Sequence, residues 1–310
     1  MEKKFSPGIS FIIATKDRPK ELRRMLDSVA SGTVLPDEII IVDSSQIQDQ
    51  HIQKEFATLH IRYIRHIPPS SSKQRNLGIQ KASPLSKLIG FFDDDIAFQP
   101  DSLEQMMTFW KNADSDIGGA AFNMMNHPQM SSRGLKSLKL IEKLGFYSIE
   151  PGIVMSSGFQ TMIGATAKTI YVQWLPSGAS VFRREVFFRY GFDEWFEGYG
   201  YLEDLDFSYR LKKKYRLAVV ATAQYLHLPS KSGRDDSLRF GRKEVINRIY
   251  FVRKNIELSK IKCYFALIIR MLLSFSQFLI KGEMCFFRRF IGNILGMFES
   301  LQGRIEFLLH

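Results

Sequence analysis

Cysteine is nearly absent from this chain, with only Cys263 and Cys285 among 310 residues. Two thiols cannot staple a fold, which excludes a disulfide framework and suits a reducing compartment. Helix-turn-helix, zinc-finger and RNA-recognition signatures are missing, so nucleic acid is not an expected partner despite a formal charge of +11. No long apolar run opens the sequence. In MEKKFSPGISFIIAT the apolar stretch stops at Lys16-Asp17, the pattern of a first buried strand rather than a secretory signal. Internal repeats and low-complexity tracts are also absent. Apolar residues make up 45% of the chain, too many for a disordered protein. Its length accommodates one large domain, or one domain and an appendage.

The first half alternates short apolar runs with amphipathic stretches. Ile9 to Ala14, Glu38 to Val42, Ile61 to Ile67 and Leu88 to Phe92 are expected as strands. Between them, Pro19 to Ser31, Ser71 to Lys81 and then Pro100 to Trp110 are expected as helices, with Leu22, Met25, Leu26 and Val29 on one face of the first. This βα rhythm implies an α/β fold, a mostly parallel sheet flanked by helices. From about Asn123 to Thr169 the periodicity blurs into Met, Ser and Gly, the composition of a mobile insertion. Regular structure returns at Tyr171 to Leu175 and PSGASVFRREVF, followed by a helix from Glu203 to Lys213 and a strand from Leu217 to Thr222.

Ligands of open α/β sheets gather beyond the carboxyl ends of the strands. Thr15-Lys16-Asp17-Arg18, Asp43-Ser44-Ser45 and Asp93-Asp94-Asp95 each follow an expected strand. Consecutive carboxylates repel, and a cation between them removes the repulsion. On an extended backbone Asp93 and Asp95 would point the same way and suit Mg²⁺ or Mn²⁺. A solvated acidic turn capping the next helix uses the same residues, and three polar strand ends on one rim favour the metal over it. Glu203-Asp204-Leu205-Asp206 opens a helix after DEWFEGYGY, where Trp195, Phe196, Tyr199 and Tyr201 could flank a sugar while Asp204 accepts a hydroxyl proton. The helix dipole also favours acids there, and Asp206 is expected only to pair with Arg210. Ser70 to Asn76 is either an anion site or a capped first turn. His227 is either a metal or phosphate contact or a structural residue.

SFIIATKDRPKELRRMLDSV, EIIIVDSS, RNLGI, FFDDDIAFQPDSLEQM, PSGASVFRREVF and GYGYLEDLDFSYRLKKK, in this order, resemble a family 2 glycosyltransferase of the GT-A fold. The resemblance covers roughly residues 8 to 230. It implies a Rossmann-like nucleotide-sugar half over about residues 1–122 and an acceptor half over about 170–235. It also implies that Asp43 reads the nucleotide base beside Thr15 and Arg18, and that Arg75 approaches base or diphosphate. Asp93 and Asp95 would be the acids of the DXD motif, with Asp94 among the sugar-nucleotide contacts; Asp94 and Asp95 are both candidates for principal metal ligand, and His227 for a further one. Asp204 would be the general base of an inverting transfer supported by Glu203, and Trp195, Tyr199 and Tyr201 would meet the acceptor. The implied partners are a nucleotide-diphosphate sugar, a divalent cation and a saccharide or lipid-linked saccharide acceptor, as in bacterial surface polysaccharide synthesis. A nucleotidyltransferase would place a glycine-rich loop after the first strand, which ATKDRP lacks. An inactive assembly protein would be expected to lack one of Asp93, Asp95 or Asp204.

Residues 236–310 form a basic amphipathic tail. From Leu238 to His310 there are 13 Lys/Arg and 5 Asp/Glu, so +8 of the +11 lies there. Helices are expected over Arg239 to Asn255, Lys260 to Lys281 and Met284 to Phe298. Arg270, Ser274, Gln277 and Lys281 make a narrow polar stripe, repeated by Arg289, Asn293 and Gly296. Such helices are expected to lie on an anionic membrane surface with cations toward lipid phosphates, which implies a cytoplasmic protein, peripheral on the inner face of the cell membrane. Packing on the catalytic domain, pairing of subunits as a homo-oligomer, or a transmembrane hairpin are the alternatives.

Overall fold

The computed structural model describes residues 4–49, 51–127, 148–198, 200–230 and 236–302. Two compact units emerge: Met1–Met130 with Ile163–Gly233, and Ser131–Met162 with Arg234–His310.

The first unit is a nine-stranded sheet. Strands β1 (Lys4–Thr15), β2 (Val34–Asp43), β3 (Ile61–Arg65) and β4 (Leu88–Phe92) run parallel in the order β3-β2-β1-β4. Their connections include α1 (Pro19–Ala30), the single turn α2 (Ile52–Glu55) and α3 (Ser71–Lys81). Leu22, Met25, Leu26 and Val29 of α1 are buried, as their spacing requires. Residue parity divides the core, because successive strand side chains point to opposite faces. Phe11, Ile13, Ile39 and Ile41 pack on one face, while Ile12, Ile40 and Val42 pack on the other.

Beyond β4 the pairing is mixed. The further elements are β5 (Ile96–Phe98), α4 (Ser102–Asn112), β6 (Ile117–Met124), β7 (Ile170–Val172), β8 (Ala179–Arg183), α5 (Glu203–Leu211) and β9 (Arg216–His227). β8 is antiparallel to β4 and β6, whereas β9 is parallel to β6 and antiparallel to β5 and β7. The expected α/β sheet is thus parallel through its first four strands and mixed after them. Two strands lack a sequence signal. β5 has three residues, and β6 begins Ile117-Gly118-Gly119. A Cβ on Gly119 would lie 2.6 Å from the Phe182 ring, so close packing requires glycine where a strand pattern would show a branched side chain. β9 continues past its expected end at Thr222, because Tyr225 to His227 pair with β5.

In the second unit, α6 (Ser237–Lys254), α7 (Lys260–Lys281) and α8 (Met284–Leu301) pack together. α6 and α8 approach backbone to backbone: a Cβ on Gly292 would lie 2.1 Å from the Leu238 carbonyl oxygen, and one on Gly241 2.3 Å from that of Arg289. Phe275 and Phe278 of α7 meet Phe287 and Phe290 of α8. The buried Glu244 carboxylate of α6 accepts from Arg270 Nε (2.9 Å), Arg289 Nε (3.0 Å), Arg289 Nη2 (2.7 Å) and Asn293 Nδ2 (3.1 Å). This overturns one expectation. Arg270, Arg289 and Asn293 turn toward Glu244, because an unpaired buried carboxylate would be costly and these groups satisfy it, while Ser274 is buried and Gly296 packs against Arg242 and Val245 of α6. Of the region expected as an insertion, residues 128–147 lie outside the described residues. The stretch 148–162 is irregular, with a Val154–Gln160 bridge and Arg248 reaching the Gly158 carbonyl and Gln160 Oε1.

Candidate active site

Parallel register brings the polar strand ends onto one rim, with Thr15 beside Asp43 and Asp43 beside Arg65. Gln74 of α3 pins this rim by donating to the carbonyls of Thr15 (3.0 Å) and Val42 (2.7 Å). Asp43 is buried, and its Oδ1 accepts from the Ser45 amide (2.8 Å) and hydroxyl (2.5 Å). Its Oδ2 accepts from the Tyr63 hydroxyl, whose pKa burial and this carboxylate raise. A carboxylate has about four acceptor positions, so three donors leave room for one more N–H.

Asp93 to Asp95 leave β4 in a turn rather than an extended strand, so the three carboxyls diverge. Asp94 turns inward, accepting from Thr15 Oγ1 at 2.6 Å and Arg18 Nη1 at 2.9 Å. Burial pushes its pKa up to about 6 against those two donors. Asp95 meets His227 Nε2 at 3.3 Å, the Ser230 amide at 3.3 Å and Arg18 Nη1 at 3.4 Å. Although burial alone would raise it, its pKa falls under the pull of His227, Ser230 and Arg18. Asp93 keeps a 42% exposed side chain and accepts from Arg75 Nη2 at 3.3 Å. The expectation that Asp93 and Asp95 share one side therefore fails, for want of an extended backbone. Among the described residues no three His, Cys, Asp or Glu side chains form a ready metal cluster. The donor set still fits a divalent cation completed by phosphate and water, through the adjoining Asp95 and His227 with the exposed Asp93 nearby.

Arg75 ties this turn to the acidic start of α5. Its buried guanidinium donates to Glu203 Oε1 at 2.6 Å as well as to Asp93, and lies over the Phe192 ring at 5.4 Å. Arg75, expected at the base or diphosphate, links two acidic clusters. Asp204 accepts from the Leu205 amide at 2.7 Å and from the Ser177 backbone. Burial raises its pKa and the Asp93 charge adds to the rise, while these amides and Arg75 oppose it. Asp206 pairs with Arg210 at 2.9 Å, as its spacing implied.

Gly200, at φ +61°, leads into α5, where a Cβ would lie 2.1 Å from Ser71 Oγ. Trp195 and Tyr201 are half-buried in this loop, Phe196 is fully buried and cannot form a sugar platform, and Tyr199 lies outside the described residues. Ser70 caps α3, Ser72 donates to the Phe196 carbonyl (3.1 Å), and Asn76 holds both Phe192 and Glu194, so the Ser70–Asn76 segment anchors the loop. Gly178, within the PSGASVFRREVF segment but not singled out there, accepts at its carbonyl from the Asp93 amide at 2.9 Å, and a Cβ there would lie 2.7 Å from Asp93 Oδ2.

A family model described as glycosyl transferase family 2 matches residues 10–167. A curated relative from Bacillus subtilis (strain 168), the uncharacterized glycosyltransferase YwdF, is 28% identical over 248 residues, covering 78% of this chain and 82% of its own. The crystal structure of S. aureus TarS 1-349 in complex with UDP-GlcNAc is 16% identical with a TM-score of 0.57, covering 96% of this chain and 82% of that one. GalNAc-T7 with UDP, GalNAc and Mn²⁺ is 17% identical with a TM-score of 0.54, over 73% of this chain and 44% of that one. At such identities the structures establish the fold, of the GT-A type. Because the family model spans half of the chain and its sheet is of that type, the chain belongs to glycosyl transferase family 2.

Proposed function

We propose an inverting transfer of a sugar from a nucleotide-diphosphate donor to a hydroxyl of a saccharide or lipid-linked saccharide, in the assembly of a bacterial surface polysaccharide. The observation that carries this reading is the Arg75 bridge, which sets the acidic turn after β4 beside the start of α5. The titles of the TarS and GalNAc-T7 structures name UDP-GlcNAc and UDP with Mn²⁺ respectively, which supports a similar donor and cation here.

Asp43 offers its remaining acceptor position to a nucleobase N–H at the ends of β1 and β2. Asp95, His227 and Asp93 would hold a divalent cation, which when bound neutralises charge on the leaving diphosphate. Asp204 orients the acceptor hydroxyl, and its carboxylate takes the proton as that oxygen bonds to the anomeric carbon. The bond from the anomeric carbon to the diphosphate oxygen breaks on the opposite face, its electron pair leaving with the nucleoside diphosphate. Glu203, fixed by Arg75, keeps α5 and hence Asp204 in place.

Asp204→Asn should reduce turnover by about 10²–10⁴-fold, the usual contribution of a general base. Donor affinity, measured by titration calorimetry with Mn²⁺, should stay within about twofold, since Asp204 is placed on the acceptor side. Near-normal turnover would remove Asp204 from the role.

A further inference from the structure

α7 is built inside out for a helix surrounded by water. Its buried residues are Cys263, Leu267 and Ser274, and Arg270 is drawn to Glu244 on the same side. Its outward side carries Ile261 (72% exposed), Phe265, Ile269, Leu272, Leu273 and Ile280 (81%). These recur at helical spacing and form one continuous apolar face. A face of this kind, uncovered among the described residues, marks a contact surface.

The charge pattern identifies the occupant. No Asp or Glu occurs from Ile261 to Ile280, and the two cations inside that stretch turn toward protein, Lys262 Nζ reaching Ser156 Oγ at 3.2 Å and Arg270 reaching Glu244. At the two ends Lys260 and Lys281 are exposed. An apolar strip with a lysine at each end matches a bilayer surface, where acyl chains take the strip and anionic headgroups take the ammonium groups. α7 is long and apolar enough to cross a membrane, with a mean hydropathy of 1.8 over its best window. A crossing would pull Arg270 off Glu244 of α6 and leave that carboxylate short of a partner, which favours a helix lying flat.

We propose that the outward face of α7 inserts into the interfacial layer of a membrane containing anionic lipid, with Lys260 and Lys281 on lipid phosphates. This does not depend on the reaction proposed above. The test is flotation of the full chain with phosphatidylcholine vesicles, with and without phosphatidylglycerol. The wild type should float with anionic vesicles, and Ile269→Gln/Leu272→Gln/Leu273→Gln should weaken this by roughly tenfold or more with an unchanged thermal transition. If that triple variant unfolds, Leu272→Gln alone should give a smaller loss in the same direction. Lys260→Gln/Lys281→Gln should lose the preference for anionic over neutral vesicles. A wild type that floats with neither vesicle, or a triple variant that floats as well as wild type, overturns the proposal. So does light scattering that finds a dimer broken by the triple variant without vesicle binding, which would assign the face to a second copy.

Discussion

Asp93 stands between Gly178, which leaves no space for a Cβ, and Arg75, which draws it toward α5. Gly178→Ala should displace the Asp93 carboxylate while leaving the sheet intact, because the bond from the Asp93 amide goes to the residue 178 carbonyl. We expect binding of nucleoside diphosphate with Mn²⁺ to weaken by roughly tenfold, about 1.4 kcal/mol. Unchanged binding in calorimetry would show that the carboxylate is not used. At this scale the acids were legible, since carboxylates clustered at strand ends and at a helix start are hard to explain as packing. Their partners were not. Gly178 lies 85 positions beyond Asp93 and Glu203 lies 128 beyond Arg75, so no local period connects them. The divergence of Asp93 from Asp95 was hidden for another reason: a turn and an extended segment give the same triplet of aspartates.

Among the elements, α6, α7 and α8 depend on a single carboxylate. Glu244→Gln would leave Arg270 and Arg289 without their counter-charge, and we expect a loss of about 3 kcal/mol, because the arginines retain some solvent. Burial alone would raise the Glu244 pKa, but Arg289 and Arg270 hold it below the ordinary glutamate range. With the folded pKa depressed, the stabilisation is present above the unfolded value of about 4.3 and is lost as pH falls through the folded one. Urea unfolding followed into acid should therefore show wild type losing stability more steeply than Glu244→Gln, and parallel curves would refute the assignment. The longer helices were legible to within about three residues at each end, because α1 and α7 each have an amphipathic period, whereas the single turn α2 was not expected. β5 and β6 escaped, one for its length and the other for its paired glycines.

For the molecule as a whole, the two thiols report on packing. Cys285 is exposed and Cys263 is buried, its pKa pushed up to about 11 by burial. A thiol reagent at neutral pH should modify Cys285 at least about a hundredfold faster, with Cys263 following only on unfolding. Equal rates would mean that the second unit is looser than described. The sequence also supplied the amphipathic period of α7 without its orientation. A polar stripe conventionally faces outward, and only the position of Glu244 on another helix shows that Arg270 and Ser274 face in, while Lys281 at the helix end stays exposed. That reversal inverts the mutational tolerance of the helix. The outward positions Ile261, Ile269, Leu272, Leu273 and Ile280 should drift freely in a folding screen, whereas Arg270 and the buried Leu267 and Ser274 should resist change as core residues ordinarily do.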